Sequence, residues 1–166
     1  SSAASDVYKR QEYSVRQLVE VAVRALSPGI NDPMTAIAVL DQLGSALCRV
    51  VPRHFPTGVT IRDGRVVLIR PVSNYAGLVD VCFDMIRQSG ASAPSVAIRM
   101  LEILALVAEQ ERDGQRLAIL RIHADKLVTD ARKHLANKED LRDLMARRRT
   151  FGAVAAHGGP ARRAEP

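Results

Sequence analysis

The chain contains no tryptophan, and phenylalanine and tyrosine together make up only 4% of it. Its core must therefore be aliphatic, and it has no aromatic platform on which nucleic-acid bases could stack. There are two cysteines, Cys48 and Cys82, and no Cys-x-x-Cys pair, which excludes zinc-ribbon and dithiol redox chemistry. No glycine-rich loop has the spacing of a phosphate cradle. No Glu-x-x-His pair of the kind that builds metal sites inside helix bundles occurs. Ser27 has no accompanying histidine–acid arrangement that would make it a nucleophile. No apolar run approaches the ~20 residues that a membrane-spanning helix needs. From these absences the expectation is no catalytic residues, no metal and no cofactor.

What remains is the composition of one folded domain. The 166 residues are 47% hydrophobic and 25% charged, enough to bury a real core. The net charge of +6 is scattered and rises toward the C-terminus. That pattern fits a solvated surface better than a nucleic-acid face, and no nucleic-acid partner is expected. Arg147-Arg148-Arg149 is the one basic run that could meet anionic lipid headgroups. Cys48 and Cys82 both fall on apolar helical faces, as buried free thiols in a reducing compartment would; a disulfide is the alternative.

The chain is organised around Ser27-Pro28-Gly29-Ile30-Asn31-Asp32-Pro33, its densest cluster of turn formers. Pro28 drives Ser27 out of the α region and ends a helix near Leu26. Gly29 can supply a positive φ. Asp32 followed by Pro33 starts a new helix, because the carboxylate accepts from free N–H groups and proline fits the first helical position. So short a link makes the two helices packed neighbours. A helix N-terminus also attracts anions. Arg24, Ser27, Asn31, Asp32 and Thr35 are therefore the candidate ligand-binding residues, with Arg24 as a possible clamp. An architectural corner, with Asp32 already occupying those N–H groups, is the weightier reading.

The stretch from Arg24 to Pro33, with Thr35-Ala36 and Asp41-Gln42-Leu43 after it and Arg16-Gln17-Leu18-Val19 before it, resembles a family of bacterial predicted membrane proteins of unknown function. The resemblance covers about Glu12 to Leu144. It implies a parent protein in the bacterial inner membrane, with N-terminal spans followed by a soluble C-terminal region. This chain would correspond to that region, facing the cytoplasm. No biochemical activity comes with the resemblance.

Around the corner the chain reads as follows. Residues 1–11, SSAASDVYKRQ, look like translated adapter sequence, a non-native disordered leader before a natural sequence that enters at Glu12; a genuine disordered leader is the alternative. Apolar spacing predicts helices over about Tyr13–Leu26, Pro33–Val50, Tyr75–Ser89, Pro94–Gln110, Gln115–Ala136 and from Asn137 to about Arg149. The fourth, apolar through Ile98–Val107, is the expected central helix. On the third, Leu78, Val81, Cys82, Met85 and Ile86 form the expected buried stripe. Pro52, Pro56 and Gly58 mark a loop holding His54, and Asp63-Gly64 predicts a hairpin over about 59–69. That turn would pair Arg62 with Arg65, Ile61 with Val66 and Val59 with Leu68. Residues 150–166, rich in Gly, Ala, Pro and Arg, read as a disordered tail.

The expected fold is thus mainly α: a five- to six-helix, bundle-like domain over 12–149 with one inserted hairpin. Asp80 and Asp84 lie one turn apart on a polar helix face, where they could ligate a metal or do acid–base work, although a solvated face is the usual reading and no histidine joins them at ligand spacing. His123 and His134 fall near the edge of the fifth helix's apolar stripe, and an enzyme built on these groups would need them to converge in one cleft. The expected function is non-enzymatic, an interaction or regulatory region that self-associates and contacts its own membrane spans. An anion or small-molecule sensor at the Ser27–Thr35 corner is the alternative.

Overall fold

Proline, asparagine and aspartate fix where most of the helices begin. In the computed structural model, which describes residues 2–53, 55, 59–69 and 74–157, the chain forms α1 (Ser2–Ala25), α2 (Pro33–Val50), β1 (Val59–Arg62), β2 (Arg65–Ile69), α3 (Tyr75–Gly90), α4 (Pro94–Gln110), α5 (Gly114–His134) and α6 (Lys138–His157). Pro33 and Pro94 sit at the starts of α2 and α4, where a missing N–H costs nothing. Asn74 accepts from the Gly77 N–H at 2.8 Å at the head of α3. Asp113 accepts from the Gln115 and Arg116 N–H groups at the head of α5. The mainly α, bundle-like architecture with one hairpin is as the sequence indicates.

Two boundaries differ from expectation. The first helix runs from Ser2, so the backbone of the supposed leader continues α1 without a break. The last helix does not stop at Arg149 but continues to His157, and Phe151 and Ala155 in the extension are buried. The Arg-rich composition hid an apolar i, i+4 pair that docks on the bundle. His54 and residues 158–166 lie outside the described residues.

The fourth helix is the hub. It packs against α2, α3, α5 and α6, and Val96, Ala97, Met100, Leu101, Ile103, Leu104, Val107 and Ala108 are buried around its circumference. The first helix packs on α2 and α3, and α5 bridges α3 to α6. Gly44 of α2 lies where a Cβ would come within 2.8 Å of Ile103 Cγ2 and 2.9 Å of its Cδ1. That missing side chain lets α2 approach α4 closely. Gly44→Val will therefore destabilise the fold by about 1–3 kcal/mol in chemical denaturation, and Ile103→Ala in the same chain will recover part of the loss.

In the hairpin, Asp63 and Gly64 take φ of 52° and 72°, the paired positive values of a tight reversal that matches strand twist. Arg62 pairs with Arg65 and Ile61 with Val66 as expected. The register then shifts between Thr60 and Ile61, so Val59 faces Ile69 and Thr60 faces Leu68, not Val59 with Leu68. Sequence alternation carries no signal for such an irregularity, which inserts a residue on one strand. Among the described residues no helix backbone comes close to the hairpin strands, and Val66 on them is exposed.

Candidate functional site

The corner between α1 and α2 is closed by its own groups. The Asp32 N–H donates to the Ala25 carbonyl at 2.8 Å, tying the start of α2 to the end of α1. The Ser27 carbonyl accepts from the N–H groups of Ile30 (3.0 Å) and Asn31 (2.9 Å). The left-handed residue is Asn31, with φ of 48°, rather than Gly29, whose missing side chain faces open space. Asparagine tolerates that region better than other non-glycine residues, and Gly29 is not needed for the reversal. The Asp32 carboxylate accepts from the Thr35 hydroxyl at 2.5 Å and from the Thr35 N–H at 3.1 Å, and these bonds hold its pKa below the usual carboxylate range. A negative charge already sits where an anion would dock.

Of the five candidates the corner brings Asp32 and Thr35 into contact and joins Ser27 to Asn31 through the backbone. Arg24 points back along α1 and donates to Glu20 at 2.6 Å. It lines a different feature, an open cavity of about 480 Å³ between α1 and α3 whose walls include Arg16, Glu20, Val23, Arg24, Asp80 and Met85. Met85, expected in the core, is 55% exposed here; Val79 and Phe83 take its place inside, so the buried stripe of α3 is rotated from the expected one.

At the far side of α3 the structure assembles a constellation that local spacing could not reveal. Asp80 and Asp84 share one face of α3. His123, a buried residue of α5 at 2% exposure, stands against both. Its Nε2 lies 2.9 Å from Asp80 Oδ1, and its Nδ1 lies 3.8 Å from Asp84 Oδ1. At that distance Nδ1 has no hydrogen-bond partner, although it is buried. Burial pushes the imidazole pKa below its ordinary value, against the opposing pull of Asp84 and Asp80. Phe83 flanks the ring, its centroid 6.1 Å away.

Cations surround Asp84. Arg87 donates to it at 3.3 Å and Lys126 approaches to 3.6 Å. Arg87 also pairs with Asp130 of α5. Asp80 is different: among the described residues no lysine or arginine lies within ion-pair distance of it, and its side chain is half exposed at the edge of the α1–α3 cavity. Residues 80 and 123 are 43 apart in sequence, so the clues to this site were a pair of aspartates one turn apart on a polar face and a histidine at the edge of an apolar stripe.

The basic run on α6 is largely spent within the molecule. Arg147 donates to Glu102 at 2.8 Å and Arg148 to Asp125 at 2.7 Å. Glu102 also receives Arg99, which reaches on to Asp41 at 2.7 Å, so α2, α4 and α6 are linked by alternating charges. Burial alone would raise the Glu102 pKa, but the Arg99 and Arg147 hydrogen bonds outweigh it and leave the pKa lowered. Both cysteines are free; Cys82 is buried, and burial raises its thiol pKa to about 12.

Comparison with known proteins gives relatives but no activity. The uncharacterized protein Rv1290c of Mycobacterium tuberculosis is 31% identical over 129 residues, covering 77% of this chain and 25% of that protein. The uncharacterized protein Mb1321c of Mycobacterium bovis matches with the same identity and coverage. The chain thus spans about a quarter of the length of these curated relatives. No solved structure matches it, and no helix among the described residues is long and apolar enough to cross a membrane. A match to the predicted membrane protein family DUF2254 runs over residues 7–106, well over half of the chain, and the chain belongs to that family.

Proposed function

We propose that this chain is a non-enzymatic interaction and regulatory region of a larger bacterial cell-membrane protein, placed after the membrane spans and facing the cytoplasm, and that it acts by associating with a second copy of itself. The observation that carries the reading is the hairpin. A two-stranded ribbon is marginal alone in water, and among the described residues no helix backbone comes close to its strands. Its edges offer unpaired backbone groups to another chain. Val66 on the hairpin and Val21 on α1 add exposed apolar surface. Free thiols at Cys48 and Cys82 support a reducing compartment. Membership of a membrane-protein family, without a spanning helix among the described residues, supports attachment to spans outside this segment.

Size-exclusion chromatography with light scattering on the full 166-residue chain tests this. The expected result is a defined oligomer that dissociates when Val66 is replaced by lysine. A strict monomer at high concentration overturns the proposal.

A further inference from the structure

We propose that Asp80, Asp84 and His123 form a binding site for a divalent transition-metal ion of the zinc class, which clasps α3 to α5. One donor atom from each of the three residues lies within 4.8 Å of the other two. Metal–ligand bonds of about 2.0–2.2 Å in tetrahedral array put donors about 3.3 Å apart. The gap of about 1.5 Å is within reach of small side-chain rotations. Two carboxylates alone would be an ordinary acidic face. The second observation is the histidine, a buried ring held between both aspartates with one nitrogen left without a hydrogen-bond partner.

The donor set selects the ion. Imidazole nitrogen with two carboxylate oxygens suits zinc, cobalt or nickel better than magnesium or calcium, which take oxygen alone. Nε2 faces Asp80, so the ion takes the place now spanned by their 2.9 Å contact. Asp84 completes the set from the other side of the ring, its Oδ1 lying 3.8 Å from Nδ1. Lys126 and Arg87 are the competitors at Asp84: the Lys126 side chain is 43% exposed and can swing into solvent, and Arg87 holds Asp84 only through a 3.3 Å contact. Arg87 keeps its bond to Asp130. Because Asp80 borders the α1–α3 cavity, the remaining coordination position opens toward it. This inference stands apart from the self-association proposed above.

The test uses the tag-free 166-residue chain, titrated with Co²⁺ and followed by its visible absorption, then with Zn²⁺ in competition. Expected are saturable binding of one ion per chain, a loss of affinity of about tenfold or more in Asp80→Asn and His123→Gln, and a gain in Lys126→Met. Asp80 is half exposed, so its variant keeps the test valid if His123→Gln fails to fold by circular dichroism. Absence of saturable binding by the native chain, or binding unchanged in Asp80→Asn, overturns the proposal.

Discussion

Replacing Phe151 with alanine will destabilise the domain by about 3–5 kcal/mol in chemical denaturation. Phe151 is fully buried and lies on α6 eight residues beyond Asp143, in the stretch that composition alone marks as tail. Removing the ring leaves a cavity where α6 meets the rest of the core, and that site can collapse only if the helix moves. The Arg148 guanidinium, 5.3 Å from the ring centroid, loses its stacking partner as well. Helix α6 also carries Arg147 and Arg148, which reach α4 and α5, so loosening its end weakens two interhelical ion pairs. Ending the chain after Arg149 will cost at least as much as Phe151→Ala, because Ala155 goes too. Thr150→Ala, at an exposed neighbour, will be nearly silent. A truncated chain as stable as the native one would show that the terminal turns of α6 contribute no packing.

Arg116→Ala will have an effect of similar size, about 3–5 kcal/mol, because it strands a buried charge. The Glu111 side chain, only 3% exposed, accepts from the Arg112 and Asp113 N–H groups through Oε1 at 3.0 Å each, and its Oε2 faces Arg116 at 3.7 Å. The same guanidinium donates to the Val51 carbonyl at 2.9 Å and to the Arg53 carbonyl at 3.1 Å. It also lies 5.2 Å from the Phe55 centroid and 5.0 Å from that of Tyr75. One planar cation thus holds the end of α2, the start of α3 and the α4–α5 connection together. Lysine keeps the charge but cannot fork to two carbonyls while reaching both rings, so Arg116→Lys will fall between wild type and alanine. Glu111→Gln in the alanine background will recover part of the loss, since the uncompensated charge is gone. Additive losses in that double variant would show that Arg116 acts through the rings and carbonyls alone.

Much of the architecture was legible because it is local. Pro33 and Pro94 fix helix starts by steric rule, Asn74 and Asp113 by capping, and Asp63-Gly64 fixes a reversal by its tolerance of positive φ. The central role of α4 follows from apolar residues on nearly every side of it. What failed was long-range. The strand irregularity at Thr60 has no signature in alternation. The last turns of α6 depend on Phe151 finding a pocket made by other helices, against a composition that reads as tail. The inward face of α3 differs by roughly one residue from the expected one, because Phe83 and Met85 are equally apolar and only the way the neighbouring helices pack on α3 decides between them. The site was split the same way. Asp32 and Thr35 were visible as a cap, whereas the meeting of Asp80 and Asp84 with His123 depends on how α5 lies across α3, which no spacing rule within either helix encodes.

The hairpin separates α1 and α2 from the four helices that follow, yet the two sets are not separate bodies: α1 lies on α3, and α2 lies on α4, across the division. A nick between Asp63 and Gly64 would therefore leave both fragments interleaved, each supplying walls to the other's interior. Expressed as independent polypeptides, they will find one another and restore the native assembly without a peptide link. The same spot is the natural place to splice in a reporter without disturbing the interior.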